Sequence, residues 1–258
     1  MNTNIKNHQW IMTEDGSSTL YSEVFQEACH SPAGAKAETE LHYIQGCKIK
    51  EKIKELNQLS ILEVGFGTGL GLKTTFEALK DDSIPIFFVS LEIDSLLVEH
   101  FFGQPEIERD FQLEWIVESG VKYLQGSRNN FHYFILTGNA RKTLPLFLNT
   151  KKIQFNAIYQ DAFSPGRNPV LWTKEWFELL KSQSSPDVIL STYSASNSIR
   201  NSMVDAGWKV YAGEKFGTKR ASTRARLVGE SDADILDLLN RSPAKAILDA
   251  DVAGEHFE

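Results

Sequence analysis

An apolar run that ends in a glycine-rich turn constrains this chain more than any other feature. The segment from Ile61 to Gly71 reads ILEVGFGTGLG, a strand-like stretch with one acid, Glu63, followed by glycines at alternate positions. Gly65, Gly67 and Gly69 permit a tight turn and let a ligand approach the backbone closely, ahead of a helix N-terminus. The segment therefore predicts a strand, a nucleotide-type binding loop and a helix. A glycine-rich turn that binds nothing is the alternative.

The spacing of the glycines argues against a dinucleotide site. That site requires Gly-x-Gly-x-x-Gly, and the sixth position here is Leu70. The pattern instead resembles the S-adenosylmethionine loop of class I methyltransferases. The resemblance implies that Glu63 lies near the methionine ammonium group of the cofactor and that the glycines pass beneath its sugar. The cofactor-binding residues predicted in this segment are Glu63, Gly65, Phe66, Gly67, Thr68 and Gly69.

The composition is that of a soluble folded protein. The 258 residues are 41% hydrophobic and 24% charged, and no stretch approaches the ~18 apolar residues of a membrane span. The polar N-terminus has no apolar signal-peptide core, so we expect a cytoplasmic protein. Cys29 and Cys47 are too few for a disulfide framework, although one bridge between them is an alternative. The histidines show no metal-ligand spacing, which argues against a metal site.

The charge is unevenly distributed along the chain. The net charge of −7 argues against a uniformly basic coat for nucleic acid. Between Lys209 and Arg226, however, six basic residues accompany the single acid Glu214, and the tail after Glu230 is acidic. A basic face with an acidic, solvated C-terminus would suit a phosphate-bearing substrate, whereas an ordinary solvated surface is the alternative.

Strand-like and helix-like segments alternate from Ser60 onward. Helix-like segments at Leu70–Leu79, Trp172–Lys181 and Asn197–Ala206 separate the strand candidates. Those candidates are Ser60–Val64, Ile84–Glu92, Phe131–Thr137, Phe155–Asp161, Asp187–Tyr193, Trp208–Ala212 and Ala225–Val228. Alternation of this kind predicts an α/β fold with a mostly parallel sheet covered on both faces. The last two strands are joined by a loop without a helix pattern and are predicted to form an antiparallel hairpin.

The fold class expected is a class I methyltransferase fold: a Rossmann-like, mostly parallel sheet of seven strands with an antiparallel last strand. Residues 1–45 do not alternate and are predicted to be an N-terminal extension of short strands over the sheet edge or the mouth of the site. Residues 46–230 are assigned to the methyltransferase domain. Residues 231–258 are assigned to an acidic C-terminal helix and tail, with an amphipathic helix from Asp232 to Leu239.

Residues at the carboxyl ends of the predicted strands are candidates for the site, because ligands of open parallel sheets bind there. A carboxylate at Glu92 can accept hydrogen bonds from ribose hydroxyls. Asn139 and Ala140 follow the third strand, where class I enzymes often carry an Asp that binds the adenine amino group; the Asn carbonyl can accept that bond. Asp161 ends the fourth strand, where the methyl acceptor is expected.

Three segments together carry a more specific resemblance. They are the glycine-rich loop, the run DAFSPGRNPVLWT from Asp161 to Thr173, and GTKR at Gly217–Arg220, preceded by STYSAS at Ser191–Ser196 and a helix at Ile199–Gly207. They are similar to the methyltransferase half of the MnmC family of bacterial tRNA-modifying enzymes. The flavin-dependent half of the bifunctional members has no counterpart, so the resemblance implies only the final step, methylation of 5-aminomethyl-2-thiouridine at the tRNA wobble position.

The resemblance implies transfer of the sulfonium methyl group of S-adenosylmethionine to a primary amine, with tRNA as partner. Asp161 is the predicted catalytic carboxylate, which would hold the amine and accept or relay its proton. Substrate-binding candidates are Phe163, Trp172 and Tyr193 as walls for a flipped-out base, and Lys219 and Arg220 as phosphate contacts. Two alternatives stay open: methylation of a small-molecule amine, and a catalytically silent scaffold that binds RNA or a partner.

Overall fold

The computed structural model describes residues 5–14, 16, 18–30, 34–104, 107, 112–215 and 221–254. Its centre is a nine-stranded sheet in the order β11-β12-β10-β9-β4-β5-β8-β7-β6. The strands are β4 (Leu59–Val64), β5 (Ile86–Glu92), β6 (Gln112–Glu118), β7 (Val121–Arg128), β8 (Phe131–Thr137), β9 (Phe155–Gln160), β10 (Ser184–Thr192), β11 (Lys209–Ala212) and β12 (Thr223–Arg226).

The class I methyltransferase arrangement predicted from the sequence is confirmed. Strands β8, β5, β4, β9 and β10 are parallel neighbours, and β12 is antiparallel to both β10 and β11. The order in which strands are added reverses at β4, because the chain continues to β5 and β8 on one side of β4 and then to β9 and β10 on the other, so the carboxyl ends of β4, β5 and β9 open into one crevice. All seven predicted strand regions lie in this sheet.

The strand count was wrong, because the sheet has two further strands. β6 and β7 form an antiparallel hairpin that adds to the edge of β8. The two residues between them, Ser119 and Gly120, both have positive φ, 51° and 80°. Such a turn matches the twist of a tight hairpin, so a Ser-Gly pair between two apolar runs was the available signal.

Helices cover both faces of the sheet. On one face lie α2 (Ile49–Glu55), α3 (Leu70–Leu79) and α4 (Ser95–Phe102), which bury apolar side chains against β4, β5 and β8. On the other face lie α5 (Ala140–Lys151), α6 (Lys174–Ser182), α7 (Asn197–Asp205) and α8 (Ala233–Arg241). Thr173 caps α6 by accepting a 3.1 Å hydrogen bond from the Trp176 amide. None of the helices in the described ranges is both long and apolar enough to span a membrane.

The N-terminal segment begins with a separate antiparallel sheet of β1 (His8–Met12), β2 (Ser18–Ser22) and β3 (Glu27–Ala28). The prediction of short strands fails after residue 34, where α1 (Ala35–Thr39) leads into a π-helix, Glu40–Gln45. Close packing at Gly46 fixes the end of the π-helix against the sheet. A Cβ on Gly46 would lie 1.9 Å from the His42 carbonyl oxygen and 2.5 Å from Ser191 Oγ. The helical part of the segment is therefore seated directly on the sheet.

The C-terminal segment differs from the solvated tail that was predicted. Beyond α8, the Ile247 amide donates a 2.9 Å hydrogen bond to Ser202 Oγ, and the Ile247 carbonyl accepts from the Lys174 amide. The Asp249 carboxylate forms an ion pair with the Arg141 guanidinium. These contacts fasten residues 244–251 across the outer surfaces of α5, α6 and α7, so the acids there have structural partners.

Candidate functional site

A cavity of about 440 Å³ opens at the carboxyl ends of β4, β5, β8 and β9. It brings together most of the residues that the sequence predicted for the site. Those lining it are Gly65, Phe66, Gly67, Glu92, Asn139, Ala140, Asp161, Phe163 and Tyr193. Glu63, Thr68, Gly69 and Trp172 do not line it, and Lys219 and Arg220 fall outside the described residues.

The glycine-rich loop between β4 and α3 forms the floor of one end of the cavity. Gly65 has φ +99°, and a Cβ on it would lie 2.7 Å from the Asp161 carbonyl oxygen. The Gly67 amide donates a 2.9 Å hydrogen bond to Glu92. The loop therefore depends on the absence of a side chain at Gly65, and its backbone is hydrogen-bonded to the end of β5.

Glu92 is held in a fixed position at the end of β5. Its Oε2 accepts from the Gly67 amide and its Oε1 accepts from the Asp94 amide, each at 2.9 Å. Burial raises the pKa of this carboxyl group, while the two amides oppose that rise. The carboxylate lines the cavity at the strand end where the sequence predicted a contact with ribose hydroxyls.

Glu63 lies beneath the loop rather than in the cavity. It is 3% exposed, and its Oε2 accepts a 2.5 Å hydrogen bond from Ser90 Oγ. A Cβ on Gly71 would overlap its Oε1, at 1.7 Å. Burial raises the pKa of Glu63 well above its ordinary value. The structure thus places a costly buried acid directly under the glycine-rich loop, without exposing it to the cavity.

Asn139 and Ala140 line the cavity at the start of α5. The Asn139 side-chain oxygen accepts a 3.0 Å hydrogen bond from the Arg141 amide and so caps the helix. The carbonyl oxygen that was predicted to accept the adenine amino group therefore also has this structural function.

Asp161 follows β9, and its side chain is oriented by Tyr43. The Tyr43 hydroxyl donates a 2.5 Å hydrogen bond to Asp161 Oδ1, and the Asp161 amide donates to the Val64 carbonyl. Tyr43 is 2% exposed and stacks on Tyr159 with ring centroids 5.1 Å apart. Burial and the charge of Asp161 raise the pKa of Tyr43 well above its ordinary value, so it stays a donor. Sequence reasoning missed Tyr43 because its segment was assigned to an N-terminal extension of short strands.

Aromatic residues form the wall beside Asp161. Phe163 stacks on Phe25 with ring centroids 4.5 Å apart, and the Tyr193 hydroxyl donates a 2.9 Å hydrogen bond to the Ala162 carbonyl. Trp172, expected as a third wall, is fully buried. Its Nε1 donates to the Phe163 carbonyl at 2.7 Å and its ring contacts Tyr193 edge-on. Trp172 therefore supports the two wall residues from behind.

The N-terminal segment contributes wall residues that the sequence did not predict. Phe25, Glu27, Cys29, His30 and Glu38 all line the cavity. The carboxylate of Glu27 accepts hydrogen bonds from the amide and the hydroxyl of Ser164, at 2.9 and 2.8 Å. This contact fastens β3 to the loop that follows Asp161. Local sequence patterns carried no signal for it, because the two residues are 137 positions apart.

The cavity is strongly acidic. Its lining includes Glu27, Glu38, Glu92 and Asp161, and no Lys or Arg lines it within the ranges that the structure describes. Burial lowers the pKa of His30 to about 4, so this imidazole adds no positive charge at neutral pH. A cavity of this kind favours cationic ligands and repels phosphates and carboxylates.

The two cysteines are both free thiols, so the alternative of a disulfide is not realised. Cys29 lines the cavity opposite Gly67, and Cys47 is buried behind the sheet, where its Sγ lies 3.6 Å from the Ile158 carbonyl oxygen. Burial and neighbouring acids raise the pKa of the Cys29 thiol, so it remains protonated. The described residues contain no cluster of three or more His, Cys, Asp or Glu side chains able to hold a metal ion.

Comparison with known proteins finds similar methyltransferases. Residues 106–228 match the family model described as S-adenosyl-L-methionine-dependent methyltransferase. The crystal structure of MnmC2 from Aquifex aeolicus superposes with a TM-score of 0.74 at 25% identity, covering 100% of this chain and 82% of that one. The chain is an S-adenosylmethionine-dependent methyltransferase. Its likeness to the methyltransferase part of MnmC, inferred from the sequence motifs, is confirmed.

Two curated relatives define how far the likeness extends. The bifunctional protein MnmC of Leptospira interrogans, named for tRNA 5-methylaminomethyl-2-thiouridine biosynthesis, is 28% identical over 223 residues, 81% of this methyltransferase and 34% of the relative. An uncharacterized protein of Methanocaldococcus jannaschii is 27% identical over 226 residues, 84% of this chain and 59% of the relative. The methyltransferase thus spans about a third of the length of the MnmC relative.

The residues of the cavity fit the cofactor of this methyltransferase. The volume of about 440 Å³ lies within the range of small-molecule sites. Gly65 and Gly67 line the cavity without a side chain, so a ligand can approach the loop backbone closely. S-adenosylmethionine carries a net positive charge that an acidic cavity favours. The glycine-rich loop, Glu92 and the start of α5 are the part of the cavity that can hold it.

Proposed function

We propose that this methyltransferase transfers a methyl group to the aminomethyl nitrogen of 5-aminomethyluridine, or its 2-thio form, at the wobble position of tRNA. The observation that carries the proposal is Asp161, fixed by Tyr43 at the end of a cavity lined with four acids and no described Lys or Arg. A cationic alkylamine is the acceptor that such a site favours. The names of the MnmC relatives, which refer to tRNA 5-methylaminomethyl-2-thiouridine biosynthesis, supply the nucleoside for this proposal.

We assign cofactor binding to the end of the cavity formed by the loop, β5 and α5. Backbone groups of Gly65, Phe66 and Gly67 and the side chain of Glu92 would surround the sugar, while Asn139 and Ala140 would border the adenine. Thr68 and Gly69 continue the loop into α3, whose N-cap is Gly69. Glu63 would act through the loop it supports, because it does not line the cavity.

We assign methyl transfer to the other end of the cavity, the acceptor end, where Asp161 lies. S-adenosylmethionine supplies an electrophilic methyl group on a sulfonium. An alkylammonium has no lone pair, so the acceptor nitrogen must lose a proton before it can attack. Asp161 is positioned to hold this nitrogen and to receive or relay the proton. The hydrogen bond from Tyr43 fixes Asp161 Oδ1, and the resulting orientation of the carboxylate provides the positioning on which transfer depends.

The recognition of tRNA is assigned to the aromatic wall and to the basic loop after β11. Phe163, stacked on Phe25, and Tyr193 line the cavity and would offer aromatic surface to a displaced base. Ala212 and Thr223, which end β11 and begin β12, lie at the same edge of the sheet as the cavity, because Thr223 pairs with Thr192 at the end of β10. Lys219 and Arg220, within this loop, stay predicted phosphate contacts.

The test is transfer of labelled methyl to tRNA from cells that lack this step but retain the aminomethyl precursor, followed by mass analysis of nucleosides. We expect methylaminomethyl uridine with the unsubstituted protein and at least a ~100-fold lower rate with Asp161→Ala. Glu178→Ala, which removes a half-exposed acid on α6, is the matched control and should retain full activity. Cofactor binding with no methylated tRNA would refute the proposal.

Methylation of a small-molecule amine is a second candidate, favoured by the acidity of the cavity itself. The free aminomethyl nucleoside separates the two functions. If the nucleoside is methylated as efficiently as tRNA, and Lys219→Ala with Arg220→Ala leaves the rate unchanged at all salt concentrations, the small-amine function is supported. If tRNA is greatly preferred and the preference falls with salt, the tRNA function is supported.

A further inference from the structure

A second carboxylate lines the same cavity as Asp161. Glu38, on α1, lines the same cavity and is only 7% exposed. One of its oxygens lies 3.9 Å from His42 Nε2, one turn along the chain. The charges of Asp161 and Glu38 both act on the hydroxyls of Tyr43 and Tyr193 and contribute to their raised pKa values. The two acids therefore belong to one cluster around the acceptor position.

The remaining acid of the N-terminal wall has a different task. Glu27 Oε2 accepts two hydrogen bonds, from the amide and the hydroxyl of Ser164, and so holds the loop after β9 in place. Glu92 belongs to the cofactor end, where the Gly67 and Asp94 amides fix it. Asp161 and Glu38 are thus the pair of acids positioned for the acceptor group.

The next step rests on the proposed function, in which the acceptor is a primary amine. A neutral primary amine presents two N–H donors and one lone pair in tetrahedral directions. Two carboxylate acceptors can engage both donors at once, and the lone pair is then left pointing in the third direction. A single acceptor leaves the nitrogen able to rotate about one hydrogen bond.

We propose that Glu38 is a specificity-determining residue which, together with Asp161, accepts the two N–H groups of the amine and limits the reaction to one methyl group. In the step itself the nitrogen lone pair forms the new C–N bond, and the electron pair of the broken C–S bond stays on sulfur. The product is a secondary ammonium ion, which releases one proton through Asp161 to water.

The methylated product can no longer donate a hydrogen bond to each of the two carboxylates. A neutral secondary amine has one N–H and one methyl group, so a second attack would turn the methyl group toward one of the carboxylates. A buried carboxylate that faces a methyl group loses a hydrogen bond without gaining another. The second methylation is therefore disfavoured by the pair of acceptors, and removing Glu38 creates both the space and the freedom for it.

The test compares Glu38→Ala with Glu40→Ala, which removes an exposed acid two residues away. Each protein is incubated with excess S-adenosylmethionine and either aminomethyl tRNA or methylaminomethyl tRNA, and nucleosides are resolved by mass. The unsubstituted protein and Glu40→Ala should yield only the monomethyl product. Glu38→Ala should raise the ratio of dimethyl to monomethyl product at least tenfold and should accept methylaminomethyl tRNA as a substrate.

A monomethyl product with no dimethyl product from folded Glu38→Ala would overturn the inference and leave the proposed function intact. No methylated nucleoside from the unsubstituted protein would refute the proposed function and the inference with it. If Glu38→Ala does not fold, Glu38→Gln tests the role of Glu38, because the glutamine side chain has the same shape and keeps one carbonyl acceptor. We expect it to stay selective for one methyl group with at least a fivefold higher KM for tRNA, and an unchanged KM would overturn the inference.

Discussion

Replacing Gly65 by Ala tests the link between the cofactor loop and the catalytic strand. The new Cβ would lie 2.7 Å from the Asp161 carbonyl oxygen and 3.2 Å from its carbonyl carbon, both backbone atoms that cannot rotate away. The φ of +99° adds strain of its own for any residue with a side chain. Backbone strain of ~1–2 kcal/mol and overpacking of ~1–3 kcal/mol together predict a loss of ~2–5 kcal/mol of stability.

Gly120→Ala supplies the matched control. Gly120 has a similarly positive φ of +80°, but a Cβ there meets nothing within 4 Å. It should therefore show only the backbone strain. At ~3 °C per kcal/mol, thermal unfolding should fall by ~3–6 °C for Gly120→Ala and by ~6–15 °C for Gly65→Ala.

The functional assay separates stability from geometry. At 20 °C, where both variants should be folded, Gly120→Ala should bind S-adenosylmethionine and transfer methyl normally. Gly65→Ala should bind the cofactor more weakly by calorimetry and lose at least ~10-fold in rate, because a displaced Asp161 no longer aligns with the acceptor. Equal Tm shifts and equal activities for the two variants would refute the reasoning.

Three further results are expected. Tyr43→Phe removes the donor to Asp161 and should lower kcat ~10–100-fold while leaving cofactor affinity unchanged; an unchanged kcat would contradict the role of Tyr43. Glu63→Gln removes a buried charge whose pKa is raised by burial, so Tm without cofactor at pH 8 should rise while S-adenosylmethionine binding weakens; a lower Tm would argue that the charge is compensated. His30 has a folded pKa of about 4, below its ordinary 6.5, so the stability it provides is complete above pH 6.5 and is lost as pH falls toward 4. Denaturant titrations at pH 7.5 and 5.0 give the free energy of unfolding at each pH. Its fall between the two pH values should be ~1–3 kcal/mol larger for the unsubstituted protein than for His30→Gln.

The features that the sequence predicted correctly are those that depend on local sequence patterns. Seven strand regions and the mostly parallel sheet follow from alternating apolar segments, and the class I fold was implied by the resemblance of the glycine-rich loop. The grouping of Glu92, Asn139 and Asp161 follows from their positions at strand ends, because parallel strands present their carboxyl ends at one edge. Trp172 was placed in the right loop, but its inward orientation depends on the hydrogen bond to Phe163 and on packing that no local pattern contains.

The features that sequence missed depend on contacts between distant parts of the chain. Tyr43 reaches Asp161 across 118 positions and Glu27 reaches Ser164 across 137. A single sequence contains no periodicity at such separations. The N-terminal extension was expected over the sheet edge or the mouth of the site, but the individual residues and acids of its wall could not be derived. The π-helix that presents Tyr43 is also not expected from residue preferences, since such turns are rare and are set by tertiary packing.

The same long-range contacts have a consequence for how the protein gains and loses its activity. The first 45 residues leave the ribosome early, yet their contacts with Asp161 and Ser164 can form only after β9 has been synthesised and paired. Closing such long loops is entropically costly, so the acceptor end should be completed late in folding. In mild denaturant these few hydrogen bonds should open before the nine-stranded sheet, whose apolar core extends over both faces. Methyl transfer is therefore expected to vanish at denaturant concentrations where circular dichroism still reports a folded sheet.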